Sequence, residues 1–355
     1  MVKNSLIVIL LVFSWLAFII GASSPLYYQL LRNDILKPYE RYGDLYRFAN
    51  LPQFKQLQPE CKRLYHNVDV SKKENIALYT IGDSFLEPWR INEADFPFKN
   101  YKNIHWHDEK IQTILDTNMT NILVLECAER HSRERFGKVP LNYKIVKNYE
   151  SEPWVPVSRL QKVKNLFSDS WLTFKKYAFT PETPDHLEHL LFSADWILPI
   201  KEFKATLNLN WFDRVNSSAS LSKDKKHIFY YKDTDTTLIN SSYSKLADSE
   251  LDNMVSNMDS TVKAYKLKGF KHVFVSIIPS KASILAPNDG EYNHLIERFE
   301  AKVNGKFPVV NIYKQYAQNR DKVFEFNETH WTCFGKNIWV EKVTNDIKAA
   351  VNSQQ

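Results

Sequence analysis

Strand-length apolar runs alternate with helical stretches along this chain, and that alternation leaves few folds open. Residues 76–80, 121–125 and 273–278 read as strands, and the second is an unbroken apolar run of the kind covered on both faces. Residues 309–312 and 323–326 are shorter candidates. Between them, Leu251, Met254, Val255, Met258 and Val262 recur at helical spacing, with Asp248 or Ser249 to cap the start and Gly269 after the end. Further helices are expected at 108–115, 292–303 and 332–351. Strands alternating with helices predict an α/β fold around a parallel sheet, whose active residues belong at the carboxyl ends of the strands.

Two stretches sit where such a site belongs. Ile81-Gly82-Asp83-Ser84-Phe85 follows the first strand, and Asn327-Glu328-Thr329-His330-Trp331 follows the last short one. A strand opening into Gly-Asp-Ser carries a small hydroxyl on a tight turn, within reach of a substrate carbonyl. A histidine two residues past a carboxylate can have one ring nitrogen oriented by that carboxylate and the other turned to the hydroxyl. The two stretches lie roughly 245 residues apart, so only a fold that joins its first and last strands unites them. Each signal alone has a plainer reading. Gly-Asp-Ser is a common helix start, where Asp83 or Ser84 simply caps, and a lone histidine is more often a hydrogen-bonded structural residue.

With these residues in view, the chain resembles the SGNH (GDSL-type) hydrolase superfamily. The block Glu328-Thr329-His330-Trp331, with Gly335 beyond it, is similar to the Asp-Thr-His-Trp signature of the AlgX/AlgJ-type branch. Glu126-Cys127-Ala128-Glu129-Arg130 looks like that branch's Glu-x-x-Glu-Arg, and Pro279-Ser280-Lys281 closes a strand as it does there. The likeness covers residues 76–135 and 271–355. This chain departs from the branch by carrying Glu328 in place of aspartate, and from ordinary GDSL enzymes by Asn327 three places before the histidine. Ser84 before His330 is the order of ordinary GDSL enzymes, the reverse of that in AlgX-like proteins. The resemblance implies an SGNH-hydrolase-like three-layer sandwich and an extracytoplasmic O-acetyltransferase of polysaccharides.

The expected catalytic set is therefore Ser84 as nucleophile, His330 as general base and Glu328 as orienting acid, with Asn327 an uncharged alternative for orienting the ring. The backbone N–H of Ser84 or Phe85 is expected to hold the oxyanion, and donors of this kind contribute about 3–4 kcal/mol each. Arg130, after the second strand, stands in for the asparagine donor of GDSL enzymes; its plainer reading is an ion pair with Glu126 or Glu129. Lys281 is a candidate substrate contact, although an exposed lysine is the default. Trp331 is either a platform for a sugar ring or packing behind the histidine. His105, Trp106, His107 and Asp108 suggest a metal, but no second cluster supports one, so no metal and no cofactor are expected. Three cysteines leave open one bridge plus a thiol, or three buried thiols.

A chain of 355 residues supports one sizeable core, or a core with an inserted subdomain. After Lys3 no charge appears until Arg32, a stretch long enough for a bilayer. Residues 1–31 are expected to be an N-terminal transmembrane helix, making the protein single-pass at the cell membrane with its C-terminal domain outside the cytoplasm (periplasmic in a Gram-negative cell). A signal peptide cleaved near Gly21-Ala22-Ser23 is the competing reading. Residues 32–75 read as a juxtamembrane connector, and 76–141 with 245–355 as the catalytic core. Residues 142–244, punctuated by Pro153, Pro156, Pro181 and Pro184, read as a mainly helical insertion flanking the site. The net charge of +6 is spread along the chain, and no basic block with interleaved aromatics suggests nucleic acid. The expected partners are a polysaccharide acceptor, the membrane and a membrane-bound acyl-exporting protein. An acetylesterase with the same chemistry and a non-catalytic glycan-binding or assembly protein are the alternatives.

Overall fold

The computed structural model describes residues 2–38, 41–108, 111–146 and 180–353. The chain divides into two compact units, Met1–Leu57 with Ser151–Arg214, and Gln58–Glu150 with Val215–Gln355. These boundaries group residues 32–57 with part of the stretch read as an insertion, and return residues 215–244 to the larger unit. Pro153 and Pro156 lie outside the described residues.

The larger unit is α/β. Its strands are β1 (Glu74–Gly82), β2 (Phe98–His105), β3 (Ile111–Thr113), β4 (Thr120–Ala128), β5 (Tyr143–Ile145), β6 (Ala219–Leu221), β7 (Ile228–Tyr230), β8 (His272–Ile278) and β9 (Val309–Val310). Five of them form one parallel sheet in the order β2-β1-β4-β8-β9. The central strands β1, β4 and β8 are buried almost throughout, as a sheet covered on both faces requires. Ile76, Leu78, Ile122, Val124 and Phe274 point to one face, where Trp339, Val340, Val343 and Ile347 of the helix Cys333–Asn352 cover them. Ala77, Tyr79, Leu123, Leu125 and Val275 point to the other. There they meet Met254, Met258 and Val262 of Asp248–Leu267, with Phe299 of Leu295–Val303. The alternation of neighbouring residues between two apolar layers follows from the two-residue period of a strand.

Two local expectations change. Residues 111–113 of the expected helix at 108–115 form β3, paired in parallel with β5. The run 323–326 is no sheet strand: Val323 ends the short helix Arg320–Val323, and Phe324 makes a single bridge to Trp331.

The smaller unit is helical where described, with Val2–Ala22, Ser24–Arg32, Asp44–Ala49, Thr183–Phe192 and Leu198–Phe212. Here the membrane anchor is overturned: among the described residues no helix is long and apolar enough to cross a membrane. The uncharged stretch breaks at Ser23, whose extended backbone separates the first helix from Ser24–Arg32. The end of the first helix is built into the unit instead. A Cβ on Gly21 would come within 2.6 Å of Leu187, and His186 Nδ1 lies 3.1 Å from the Gly21 carbonyl. The single-pass placement at the cell membrane falls with the anchor.

Candidate active site

The tips of β1 and β4 and the loop before the last helix supply the site, all within the larger unit. Strand β1 ends at Gly82, and Ser84–Leu86 forms a single 3-10 turn. Asp83 caps that turn, its Oδ1 accepting from the Phe85 N–H at 3.0 Å, while Oδ2 accepts from the Ala128 N–H at 2.7 Å. One carboxyl group thus ties the β1 tip to the β4 tip. The loop carrying His330 is shaped by its own backbone: Glu325 N–H donates to the His330 carbonyl and Thr332 N–H to that of Val323. Lys281, fully buried, reaches into the same loop, where its Nζ donates to the carbonyls of Phe326 (3.0 Å) and Glu328 (3.2 Å).

These supports bring Ser84, His330 and Glu328 together across 246 residues of chain. Ser84 Oγ lies 2.8 Å from His330 Nε2, and His330 Nδ1 lies 2.9 Å from Glu328 Oε1. With the ring proton on Nδ1, donated to Glu328, Nε2 is left to accept from the Ser84 hydroxyl. His330 and Glu328 are buried and Ser84 is half-buried, so the hydroxyl is the accessible member. The Phe85 ring packs on the imidazole at 4.7 Å between centroids.

Glu328 is held as an anion. Burial works against its charge, but the His330 hydrogen bond and charge, followed by Arg90, more than offset it and bring its pKa down to about 2. The extra methylene relative to aspartate does not keep the carboxylate from the ring, because Arg90 Nη2 also donates to Oε1 and fixes it. Nearby Glu325 moves the opposite way, up to about 7, because it is buried and faces the Glu328 charge; Lys281 and Arg90 oppose that shift.

The remaining expected residues are placed otherwise. Arg130 meets Asp233, with Nη1 at 3.0 and 3.1 Å from its two carboxylate oxygens, rather than Glu126 or Glu129. No hydrogen bond among the described residues joins it to Ser84 or His330. Asn327 is buried and accepts from Gln58 Nε2 at 2.7 Å, whereas His330 Nδ1 has Glu328 Oε1 at 2.9 Å and Thr329 Oγ1 at a longer 3.3 Å. Trp331 is 4% exposed, edge-on to Phe85 at 4.9 Å and against Trp339 at 5.7 Å; a buried ring cannot serve as a sugar platform. Lys281 is no exposed substrate contact, being used up inside the protein. Of the two expected oxyanion donors, Phe85 N–H is taken by Asp83, and Ser84 N–H, first in its turn, has no acceptor within that turn. In the His105–Asp108 stretch, Asp108 Oδ2 accepts the His105 N–H and Arg135 lies on His107.

Sequence reasoning missed Arg90, which lies 238 residues from its partner in an irregular stretch without a pattern to mark it. It also missed Gln58 and the segment around it. Cys61 is disulfide-bonded to Cys333, three residues after His330, and Lys336 Nζ donates to the Lys62 carbonyl and to Asp95, which also takes Arg63. Cys127 is a buried thiol. No family model, no curated protein and no solved structure matches this chain.

Proposed function

We propose that this protein is a serine-dependent O-acyltransferase that moves an acetyl group onto a polysaccharide hydroxyl. The observation that carries acyl transfer is the Ser84–His330–Glu328 relay, with 2.8 and 2.9 Å between its partners. The resemblance of its motifs to the AlgX/AlgJ-type branch of SGNH hydrolases supplies the acetyl group and the glycan, and with them the SGNH-like reading of the sheet. His330 Nε2 takes the Ser84 proton as Oγ adds to the donor ester carbonyl. Glu328, ionised beside Arg90, holds the ring and stabilises the imidazolium that forms. Ser84 N–H supports the developing oxyanion. Collapse of the tetrahedral adduct breaks the ester bond, and His330 returns the proton to the departing alcohol. A glycan hydroxyl, deprotonated by the same nitrogen, then attacks the acetyl-serine and regenerates Ser84.

The test is to incubate the protein with an activated acetyl ester and an oligosaccharide acceptor, and to follow the Ser84 peptide by mass spectrometry. Acetylated glycan with a transient adduct on Ser84 is the expected result. Acetate release alone assigns the same chemistry to an esterase. Serine loss in such relays lowers turnover by about a thousandfold or more, so a Ser84→Ala protein as active as the parent refutes both enzyme readings.

A further inference from the structure

Directly behind the nucleophile turn lies a second carboxyl group that the acyl-transfer steps do not use. Glu126, fully buried on β4, accepts the Asp83 N–H through Oε2 at 2.9 Å. Its backbone is fixed as well, the carbonyl accepting from Trp106 Nε1 at 2.6 Å. Gly82 makes this approach possible: a Cβ there would stand 2.8 Å from Glu126 Oε2 and 2.5 Å from Leu86. Glu126 and Asp83 between them tie the N–H groups on either side of Ser84, Asp83 N–H to Glu126 and Phe85 N–H to Asp83.

The charge state of this pair is set by what surrounds it. Glu126 Oε1 is buried and receives no donor among the described residues. An ionised oxygen left so would be heavily penalised, whereas a protonated one can donate to the Asp83 carboxylate beside it. The titratable groups around the pair are Tyr101 and His105 of β2, Cys127 of β4, and His131 and Arg135 of the helix Glu129–Arg135. None of them donates to Oε1. Burial first, and then the Asp83 charge, push the Glu126 carboxyl well above the usual carboxylate range.

We propose that Glu126 is a neutral acid that donates its proton to the Asp83 carboxylate, and that the pair is the positioning element holding the Ser84 hydroxyl and N–H for acyl transfer. The positioning role rests on the Ser84 reading; the neutral acid does not. The experiment therefore has two arms. Infrared difference spectra of the parent against Glu126→Gln, at about pH 8.5, where Glu129 and Glu325 have largely lost their protons, should show the C=O stretch of one protonated carboxyl group only in the parent. Absence of that band overturns the neutral acid whether or not the protein is an enzyme.

In the second arm, Glu126→Gln, whose amide keeps both an acceptor for Asp83 N–H and a donor for its carboxylate, should retain kcat within about threefold. Glu126→Leu, similar in volume but without polar atoms, should lower kcat by roughly 10- to 100-fold at nearly constant KM. Parent-like kcat in Glu126→Leu, or equal losses in both variants, overturns the positioning role. A failure of the Ser84 reading shows separately, as turnover that survives Ser84→Ala.

Discussion

Replacing Glu328 by glutamine asks whether charge, and not shape alone, at this position drives the histidine. The amide keeps the size and one acceptor oxygen but loses the charge that balances the imidazolium. Against the burial that raises it, His330 and Arg90 bring the carboxyl from its ordinary 4.5 down to about 2, equivalent to roughly 3 kcal/mol of net stabilisation of the carboxylate. Both partners share that sum, and the groups are buried enough for solvent screening to be small. If about 2–3 kcal/mol of it stabilises the imidazolium in the transition state, kcat falls by roughly 30- to 150-fold. Any swing of the ring to the wrong tautomer adds to the loss. The assay is steady-state hydrolysis of an activated acetyl ester, with kcat and KM determined separately and Asn327→Ala as comparison. Asn327 is engaged with Gln58, so its loss should change kcat by less than about threefold. A Glu328→Gln protein within threefold of the parent, or an Asn327→Ala protein that loses more, would falsify the assignment of Glu328 as the orienting acid.

Other expectations follow from the same geometry. Reducing the Cys61–Cys333 bridge, or replacing Cys61 by serine, frees a loop with a sequence separation of 272; the chain-entropy argument gives about 5–6 kcal/mol. Calorimetry should show a melting temperature lower by roughly 10 °C or more, and an unchanged value refutes it. Glu129 is raised to about 7, chiefly by burial, with Ser283 and Ser280 opposing. The folded protein therefore holds a proton that the unfolded chain releases near 4.5, so stability is lost as pH rises from about 4.5 to 7, by about 3 kcal/mol. Urea titrations of Glu129→Gln should lack that part of the decline, and parallel curves for the two proteins contradict the cause. Glu328 has the opposite sign: its contribution is present above about 4.5 and disappears as pH falls towards 2.

The sheet was legible where burial is complete. Strands β1, β4 and β8 are apolar on both faces, and only a covered central strand produces such runs. Strand β2 was not, because it is an edge: Lys99, Asn100 and Lys102 face partly outward and give Phe98–His105 the look of a loop. The histidine loop resembled a strand because Phe324 and Phe326 bracket Glu325, yet only Phe324 pairs, with Trp331. Ser84, His330 and Glu328 carried local signatures, each residue sitting in a short motif after an apolar run. Arg90 and Gln58 did not, since what they do depends on a partner more than two hundred residues away. Lys281 misled for a related reason: residue type suggests exposure, and only the packed structure shows the lysine spanning two carbonyls; of the two readings open for Trp331, the indole takes the packed one, tilted against Trp339.

The Ser84 hydroxyl and the His330 imidazole that meets it come from opposite ends of the larger unit's sequence. During synthesis Ser84 therefore leaves the ribosome well before His330. A nascent product stalled short of residue 330 lacks that ring, so on the proposed reading acyl transfer waits until the later motif has been made.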